Sequence, residues 1–271
     1  MIPTIKDVCS SGTNLASCIK NYSNKGTSIS KIYHHDGSLE NGINDNSYRY
    51  AGASDQVNNY VCFGSTQSPC PADNLYRIIG AFGDKVKLIK SKSIGDKAWD
   101  SNSNNIWSTS SLNSYLNNEF INIYDEVTKG KIAETTWKVG GNTETKIKNK
   151  PAKTVYQNEI NSSPSETKKI GLMYASDYGF AAAPSAWTAS LNTYNGAAIK
   201  SANWMYLGDN EWTISRNADR SDGAFLVYST GNVNNVNVGS NASGVRPVFS
   251  LSSSVNYASG SGSATDPILV N

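Results

Sequence analysis

The last quarter of the chain places the strongest constraint on its fold. Residues 201–271 contain no lysine, whereas residues 1–200 contain 19, and about seven would be expected at that density. The segment is instead rich in Asn, Ser, Gly, Asp and Tyr, and its apolar runs, such as Ala224–Tyr228 and Val245–Leu251, are short. Short β-prone runs between turn-forming residues predict several short strands after Trp204.

The same composition bears on function. Rigid aromatic side chains among small hydrogen-bonding ones are typical of antibody paratopes, and the alternative is a polar β-hairpin region of a secreted protein. The chain carries 24 basic and 22 acidic side chains. Nucleic-acid binding needs a concentrated basic surface, so we expect no nucleic-acid partner.

The four cysteines form two close pairs in the first 70 residues. Cys9 and Cys18 are separated by eight residues, and Cys62 and Cys70 by seven. These spacings are unusual for a metal site, so two local disulfides are predicted, with crossed pairing and free thiols as the alternatives. Disulfides imply an oxidising compartment, extracellular or at the cell surface. No run of 18 apolar residues is present, and we expect that an export signal or anchor has been removed.

Local patterns predict most of the elements. Leu75–Phe82 and Lys85–Lys90 are β-rich runs on either side of Gly83 and Asp84, which is typical of a hairpin. A helix is predicted from Ser108 to Phe120, with Ser108 or Ser110 as its cap. Further predictions are helical character in residues 1–30, turns in 31–72, strands at 132–139 and 170–175, a polar excursion at 140–168, a helical turn at 176–184 and a linker-like tail. Pro247 predicts that the last strand lies at an edge or bulge.

Residues that could carry catalysis are few. His34 and His35 are adjacent, so their side chains diverge and a metal site is not expected there. The sequence lacks Gly-x-Ser-x-Gly and the glycine-rich phosphate-binding motifs. Asp36, Asp45 and Asp55 lack the spacing of an EF-hand, which leaves calcium dependence open. We therefore expect no catalytic residues, no metal and no cofactor.

Several segments resemble a bacterial C-type lectin-like domain. Trp204, Glu211–Arg216, Ala224–Val227, Gly231 and Gly244–Leu251 are similar to the end of such a domain; Leu75–Gly80 is similar to its opening and Trp107–Asn117 to its first helix. The resemblance covers about residues 73–257 and is closest to the variable proteins of diversity-generating retroelements and their pilin-like or adhesin-like surface relatives. Formylglycine-generating enzymes share this fold, but their catalytic cysteines have no counterpart in the C-terminal half. The calcium–sugar motifs of animal C-type lectins are also missing.

The resemblance implies a cause for the lysine gap. Retroelements of this class change template adenines, typically in AAC codons for Asn, and such changes cannot give Lys, Gln, Glu, Met or Trp. Trp204, Met205, Glu211 and Trp212 would then be fixed framework positions. We expect Trp204, Trp212, Phe225 and Val245–Phe249 to pack the scaffold. The alternative is that a Ser- and Asn-rich hairpin region lacks lysine by chance or by surface selection.

The predicted protein is α+β: a C-type lectin-like domain with short strands and one or two helices at residues 73–257. A disulfide-containing segment, 1–72, precedes it, and a tail, 258–271, follows. The expected function is binding of a protein or surface-glycan ligand, with no membrane contact; an enzyme on the formylglycine-enzyme fold and a structural pilus or phage-tail subunit are the alternatives. The predicted ligand-binding residues are Tyr206, Asp209, Asn210, Arg216, Asn217, Asp219, Arg220, Asp222, Tyr228, Asn232, Asn234, Asn235, Asn237 and Asn241. We expect them to lie largely on one exposed surface. Tyr206, Tyr228 and Arg216 or Arg220 are the expected anchors.

Overall fold

A computed structural model describes residues 2–239 and 242–271. Its mixture of helices and sheets confirms the predicted α+β class. The α-helices of the described residues are α1 (Leu15–Ser23), α2 (Thr27–Ser30), α3 (Ser111–Asn118), α4 (Glu126–Gly130), α5 (Glu144–Lys148), α6 (Ala152–Ile160), α7 (Ala175–Ala181) and α8 (Ala197–Ser201). These are more helices than the one or two predicted, because helices of four to nine residues fill the connections between strands. Further 3-10 helices lie at Ile5–Asp7, Ala72–Asn74, Trp107–Thr109, Phe120–Ile123, Pro184–Ala186 and Leu191–Thr193.

The strands are short, as the sequence predicts. Those before residue 140 are β1 (Ile32–His34), β2 (Tyr48–Tyr50), β3 (Tyr60–Cys62), β4 (Leu75–Phe82), β5 (Lys85–Lys90), β6 (Asp96–Lys97) and β7 (Thr135–Lys138). Those after it are β8 (Ser165–Lys168), β9 (Ile170–Gly171), β10 (Glu211–Arg216), β11 (Gly223–Val227), β12 (Val233–Asn237), β13 (Ser243–Gly244), β14 (Val248–Leu251), β15 (Tyr257–Ser259) and β16 (Ile268–Val270).

The central sheet is built around β4. Its strands follow the order β15-β16-β3-β4-β5-β14-β9, and β2, which also pairs with β1, lies beside the second half of β4. The predicted β4–β5 hairpin is confirmed, with Gly83 at a φ of 63°. Gly80 lies where β2 pairs with β4, and glycine is required there because a Cβ would lie 2.4 Å from the Tyr48 carbonyl oxygen.

A second sheet is formed mainly by the lysine-free segment. Its order is β12-β11-β10-β13-β6, and β10, β11 and β12 are successive antiparallel strands. A separate two-stranded sheet pairs β7 with β8. The predicted helix after Ser108 is α3, and Ser110 caps it by accepting a hydrogen bond from the Asn113 amide at 3.2 Å.

One hydrophobic core joins these layers. All six tryptophans are buried, each at most 1% exposed. The same cluster includes Ile19 and Tyr50 from the N-terminal segment and Ile268 from the tail. The division at residues 72 and 257 stays a prediction, but the three segments share one sheet and one core.

Four local predictions need correction. β14 is not an edge strand, because it pairs with both β5 and β9; Pro247 precedes the strand, so its missing N–H removes no bond of the ladder. The predicted polar excursion at 140–168 contains α5, α6 and β8, and the strand predicted at 170–175 ends at Gly171, before α7. The linker-like tail supplies β16, which pairs with β15 and β3.

Both predicted disulfides, Cys9–Cys18 and Cys62–Cys70, are present. The first connects the turn after the N-terminal 3-10 helix to α1, and the second connects β3 to the loop before β4. Two disulfides are compatible with an oxidising location. Among the helices of residues 2–239 and 242–271, none combines the length and the apolar character needed to cross a membrane.

Candidate ligand-binding surface

The expected framework residues of the lysine-free segment are buried. Trp212 on β10, Phe225 on β11 and Phe249 on β14 are each at most 1% exposed. The Trp212 indole N–H donates to the Lys97 carbonyl oxygen at 2.8 Å. Buried tryptophans normally find such a partner, so this ring both fills the core and ties β10 to β6.

A buried ion pair fixes the position of β10. The Glu211 carboxylate meets the Arg246 guanidinium at both oxygens, with Nε–Oε1 at 2.6 Å and Nη2–Oε2 at 2.7 Å. Arg246 also donates to the Met205 carbonyl oxygen at 2.7 Å. Burial raises the pKa of Glu211, and Arg246 opposes that rise. Glu211 and Arg246 both belong to the segments that resemble a C-type lectin-like domain, but the sequence did not predict that they pair with each other.

Five of the predicted ligand residues lie near the turn that joins β11 to β12. We call this set the tip patch: Tyr206, Asp209, Asn210, Tyr228 and Asn232. Its backbone is held by local bonds: the Tyr206 hydroxyl donates to the Ser229 carbonyl oxygen at 2.6 Å, and the Ser229 amide donates to the Asn210 side chain at 2.8 Å. Asp209 and Asn210 also line a polar groove of about 500 Å³.

Four others lie at the opposite end of the same hairpin. We call this set the loop patch: Asp219, Arg220, Asp222 and Asn237. Arg220 makes a two-point contact with Asp222, at 2.9 and 3.1 Å, and the Asn237 amide donates to Asp222 at 3.0 Å. The hydrogen bond with Arg220 lowers the pKa of Asp222. Asp219 and Arg220 are exposed, so their charges face solvent.

The remaining predicted residues do not join one surface. Asn217 was expected to be exposed, but it is 1% exposed; it donates to Asn235 at 3.1 Å and accepts from the Asp219 amide at 3.0 Å, which closes the loop before β11. Asn234 lies on the opposite face of β12 from Asn235, because strand side chains alternate. Arg216 is half-buried, and Asn241 lies outside the described residues.

Asn105 organises the loop patch and was not predicted. It is 1% exposed, and its side-chain amide lies 2.9, 2.6 and 2.7 Å from the carbonyl oxygens of Asn217, Arg220 and Gly223. Its side-chain oxygen accepts from Arg216 at 3.4 Å. An asparagine in a polar loop 112 residues before its first partner carries no local signal, so only the tertiary structure identifies it.

The two histidines have different surroundings. His34 is half-exposed, stacks on Tyr48 and pairs with Asp36 at 3.1 Å. His35 is fully buried between Phe180 and Trp187, and burial lowers its pKa to about 3. Across the described ranges, 2–239 and 242–271, no three His, Cys, Asp or Glu side chains are grouped so that they could hold a metal ion.

A second cavity, of about 430 Å³, lies away from both patches, between β5, β7, α6 and α7. Its walls include Phe82, Trp137 and Tyr174. Four of the charged side chains that line it are buried, and each comes from a different element, so no local pattern in the sequence points to them: Arg49, Lys87, Glu159 and Asp177. Asp177 pairs with both Arg49 and Lys87, and Arg49 also pairs with Asp45, so these charges have partners inside the protein. The patches therefore offer the more accessible polar groups to a ligand.

The family model described as Domain of unknown function (DUF6273) matches residues 83–253, which is more than half of the chain. That range runs from the turn before β5 to beyond β14 and so includes the tip patch, the loop patch and Arg246. No curated protein and no solved structure matches the chain.

Proposed function

The chain belongs to the DUF6273 family, and we propose that it is an extracellular ligand-binding protein of the adhesin or receptor type. In this proposal the scaffold is C-type lectin-like, and the ligand contacts the tip patch and the loop patch. The observation that carries the proposal is that the lysine-free segment combines buried framework residues with exposed polar residues. Trp212, Phe225 and the Glu211–Arg246 pair are buried, whereas charged and amide side chains lie exposed at both ends of the β11–β12 hairpin.

The spacing of the two patches favours a macromolecular partner. β11 has five residues, so the ends of the hairpin are about 13 Å apart at the usual rise per strand residue. A typical protein interface covers about 800 Å² on each partner and could span both. Neither patch is the deep apolar cavity that small ligands prefer, so a protein or a surface glycan is the proposed ligand.

Local rigidity supports the same conclusion. Asn105 holds the loop patch through three backbone carbonyls, and the tip patch is closed by the Tyr206–Ser229 and Ser229–Asn210 bonds. A surface that is already ordered loses less conformational entropy when it binds. Tyr206, Tyr228 and Arg220 are the proposed anchors, since binding energy concentrates in aromatic residues and arginine.

The test compares two triple variants on an array of purified glycans and extracellular protein domains. The loop-patch variant carries Asp219→Ser, Arg220→Ser and Asp222→Ser. The control carries Lys25→Ser, Asp55→Ser and Glu119→Ser, three exposed positions that also remove one cation and two anions. We expect the first to lose binding at least about tenfold, or 1.4 kcal/mol, and the control to bind as the wild type.

Equal binding by both triple variants would reject the loop patch as part of the ligand surface. A companion variant with Asp209→Ser and Tyr228→Ser tests the tip patch in the same assay. Binding only to a second copy of the chain would favour the structural-subunit alternative. Turnover of a peptide thiol would favour the enzyme.

We further propose that the exposed positions of the lysine-free segment are diversified by a retroelement. The absence of lysine and glutamine from residues 201–271 supports this. Trp204, Glu211 and Trp212 are buried, and the codons for Trp and Glu cannot arise from AAC by changes at its adenines. Sequencing the genomic neighbourhood tests it. A near-identical repeat that differs at adenines, next to a reverse transcriptase gene, is the expected finding; its absence would leave the binding proposal without this source of variation.

A further inference from the structure

Lys87 on β5 is buried in an aromatic enclosure. It is 7% exposed, and lysine is rarely buried to this degree without a partner. Its Nζ lies 4.6 Å from the centre of the Tyr174 ring and 5.7 Å from each of the Phe82 and Trp137 rings. Burial lowers the pKa of Lys87, against the effect of Asp177. The amine is therefore held in a low-dielectric site where its neutral, nucleophilic form is more accessible than in water.

The partner of Lys87 is the Asp177 carboxyl group, on the first turn of α7. Asp177 is 2% exposed, and its Oδ2 is 2.5 Å from the Lys87 Nζ. Arg49 donates to Oδ1 at 3.2 Å, and the Tyr174 backbone N–H donates to Oδ2 at 3.0 Å. Both oxygens thus have donors, and the amine nitrogen is in contact with one oxygen of the carboxyl group.

Glu159 places a further proton in the same cavity. It lies on α6, is 2% exposed, and accepts hydrogen bonds from the Ser176 hydroxyl and, at 2.8 Å, from the Ser215 hydroxyl. Burial raises its pKa to about 7 against those hydrogen bonds. At neutral pH a large fraction of the molecules therefore carries a neutral carboxylic acid here, which can supply a proton.

We propose that Lys87 and Asp177 become joined by an amide bond inside the folded protein. The Lys87 ammonium first loses a proton, and the nitrogen lone pair forms a bond to the Asp177 carboxyl carbon. The bond from that carbon to one oxygen then breaks, and the oxygen leaves with two protons as water. An ammonium and a carboxylate are thus converted to one amide and one water, and no oxidant or co-substrate is needed.

The surroundings favour this condensation. Arg49 and the Tyr174 N–H face the oxygens on which negative charge develops during attack, which is how preorganised donors stabilise a tetrahedral intermediate. Fixed contact of the two groups replaces a bimolecular encounter, an advantage that corresponds to effective molarities of about 10⁵–10⁸ M.

The bond would complement the disulfides. Lys87 and Asp177 are 90 residues apart, and the link would tie the central sheet to α7 in the part of the chain that has no cysteine. A cross-link stabilises a protein mainly by restricting its unfolded state, and it does so more for longer loops.

Intact mass spectrometry of the reduced, denatured wild-type protein tests the proposal. The expected mass is lower than that of the sequence by one water molecule, and a protease digest should contain a branched peptide in which Lys87 is attached to Asp177. Lys87→Arg and Asp177→Ala should each restore the full sequence mass. The control is Lys90→Arg, because Lys90 is also buried on β5 but contacts the Asp73 carbonyl oxygen instead of a carboxylate; it should keep the loss of water.

A wild-type protein at its full sequence mass would overturn the proposal and leave an ordinary buried ion pair. Loss of water without a branched peptide would also overturn it, since a cyclic imide at an aspartate gives the same mass. The wild-type measurement decides the question even where a variant fails to fold.

Discussion

Trp212 shows how a single side chain serves the framework. Its ring is 1% exposed, and its N–H is bonded to the Lys97 carbonyl oxygen. Trp212→Ala should lower the free energy of unfolding by about 3–5 kcal/mol, because it leaves a cavity and an unpaired carbonyl. Urea denaturation measures the loss, with Leu207→Ala, at a 41% exposed position, as the control. Loss of less than about 1 kcal/mol would contradict the framework role.

Asp45 makes stability depend on pH. Burial raises its pKa, but Arg49 at 3.0 Å and the Ser47 bonds outweigh burial and bring the pKa to about 2, from 3.8 in the unfolded chain. The lowered pKa stabilises the fold fully above pH 3.8, and this contribution is lost as the pH falls through 2. Asp45→Asn should cost about 2 kcal/mol at pH 7 and should flatten the acid limb of a plot of stability against pH. If the free energy of unfolding of the wild type and of the variant fell equally steeply below pH 3.8, this assignment would be refuted.

At the scale of elements, the Cys62–Cys70 disulfide supports β3, which lies between β16 and β4 in the central sheet. Replacing both cysteines by serine should cost about 2–3 kcal/mol, since the bond closes a short loop. Amide hydrogen exchange should show faster exchange in β3 and in its partner β16, while β10 and β11 keep their protection. The corresponding double replacement at Cys9 and Cys18 is the comparison, because that bond supports α1 instead of a strand. Equal exchange changes in β3 for both variants would argue against this local effect.

At the scale of the whole molecule, the tail is part of the core. Ile268 is fully buried, and β16 pairs with strands on both sides. Removing residues 260–271 should lower the unfolding free energy by more than about 2 kcal/mol from the lost apolar burial alone, and it exposes an edge of β3. Thermal unfolding and gel filtration measure stability and association, with removal of the exposed Asn271 alone as the control. Full stability after the longer deletion would show that the tail is a linker, as the sequence predicts.

Features that depend on neighbours close in sequence were predictable from the sequence alone. The turn of the β4–β5 hairpin, the Ser110 cap of α3 and the pairing of Cys9 with Cys18 and of Cys62 with Cys70 each involve residues at most ten positions apart. Local conformational preferences and short loop closure are sufficient to specify them. The strand character of their runs and the resemblance likewise predicted that Trp212 and Phe249 are buried, although neither indicated their partners.

The tertiary structure alone decided which distant residues meet. Asn217 belongs to the same polar run as Asp219, and only the Asn105 and Asn235 contacts determine that it is buried. The positions of β14 and β16 inside the sheet depend on strands from remote parts of the chain. Lys87 and Asp177 meet because α7 packs against β2 of the central sheet. Contacts of this kind are determined by the packing of the whole core, because the energy of burying a polar side chain depends on a partner that local sequence does not specify.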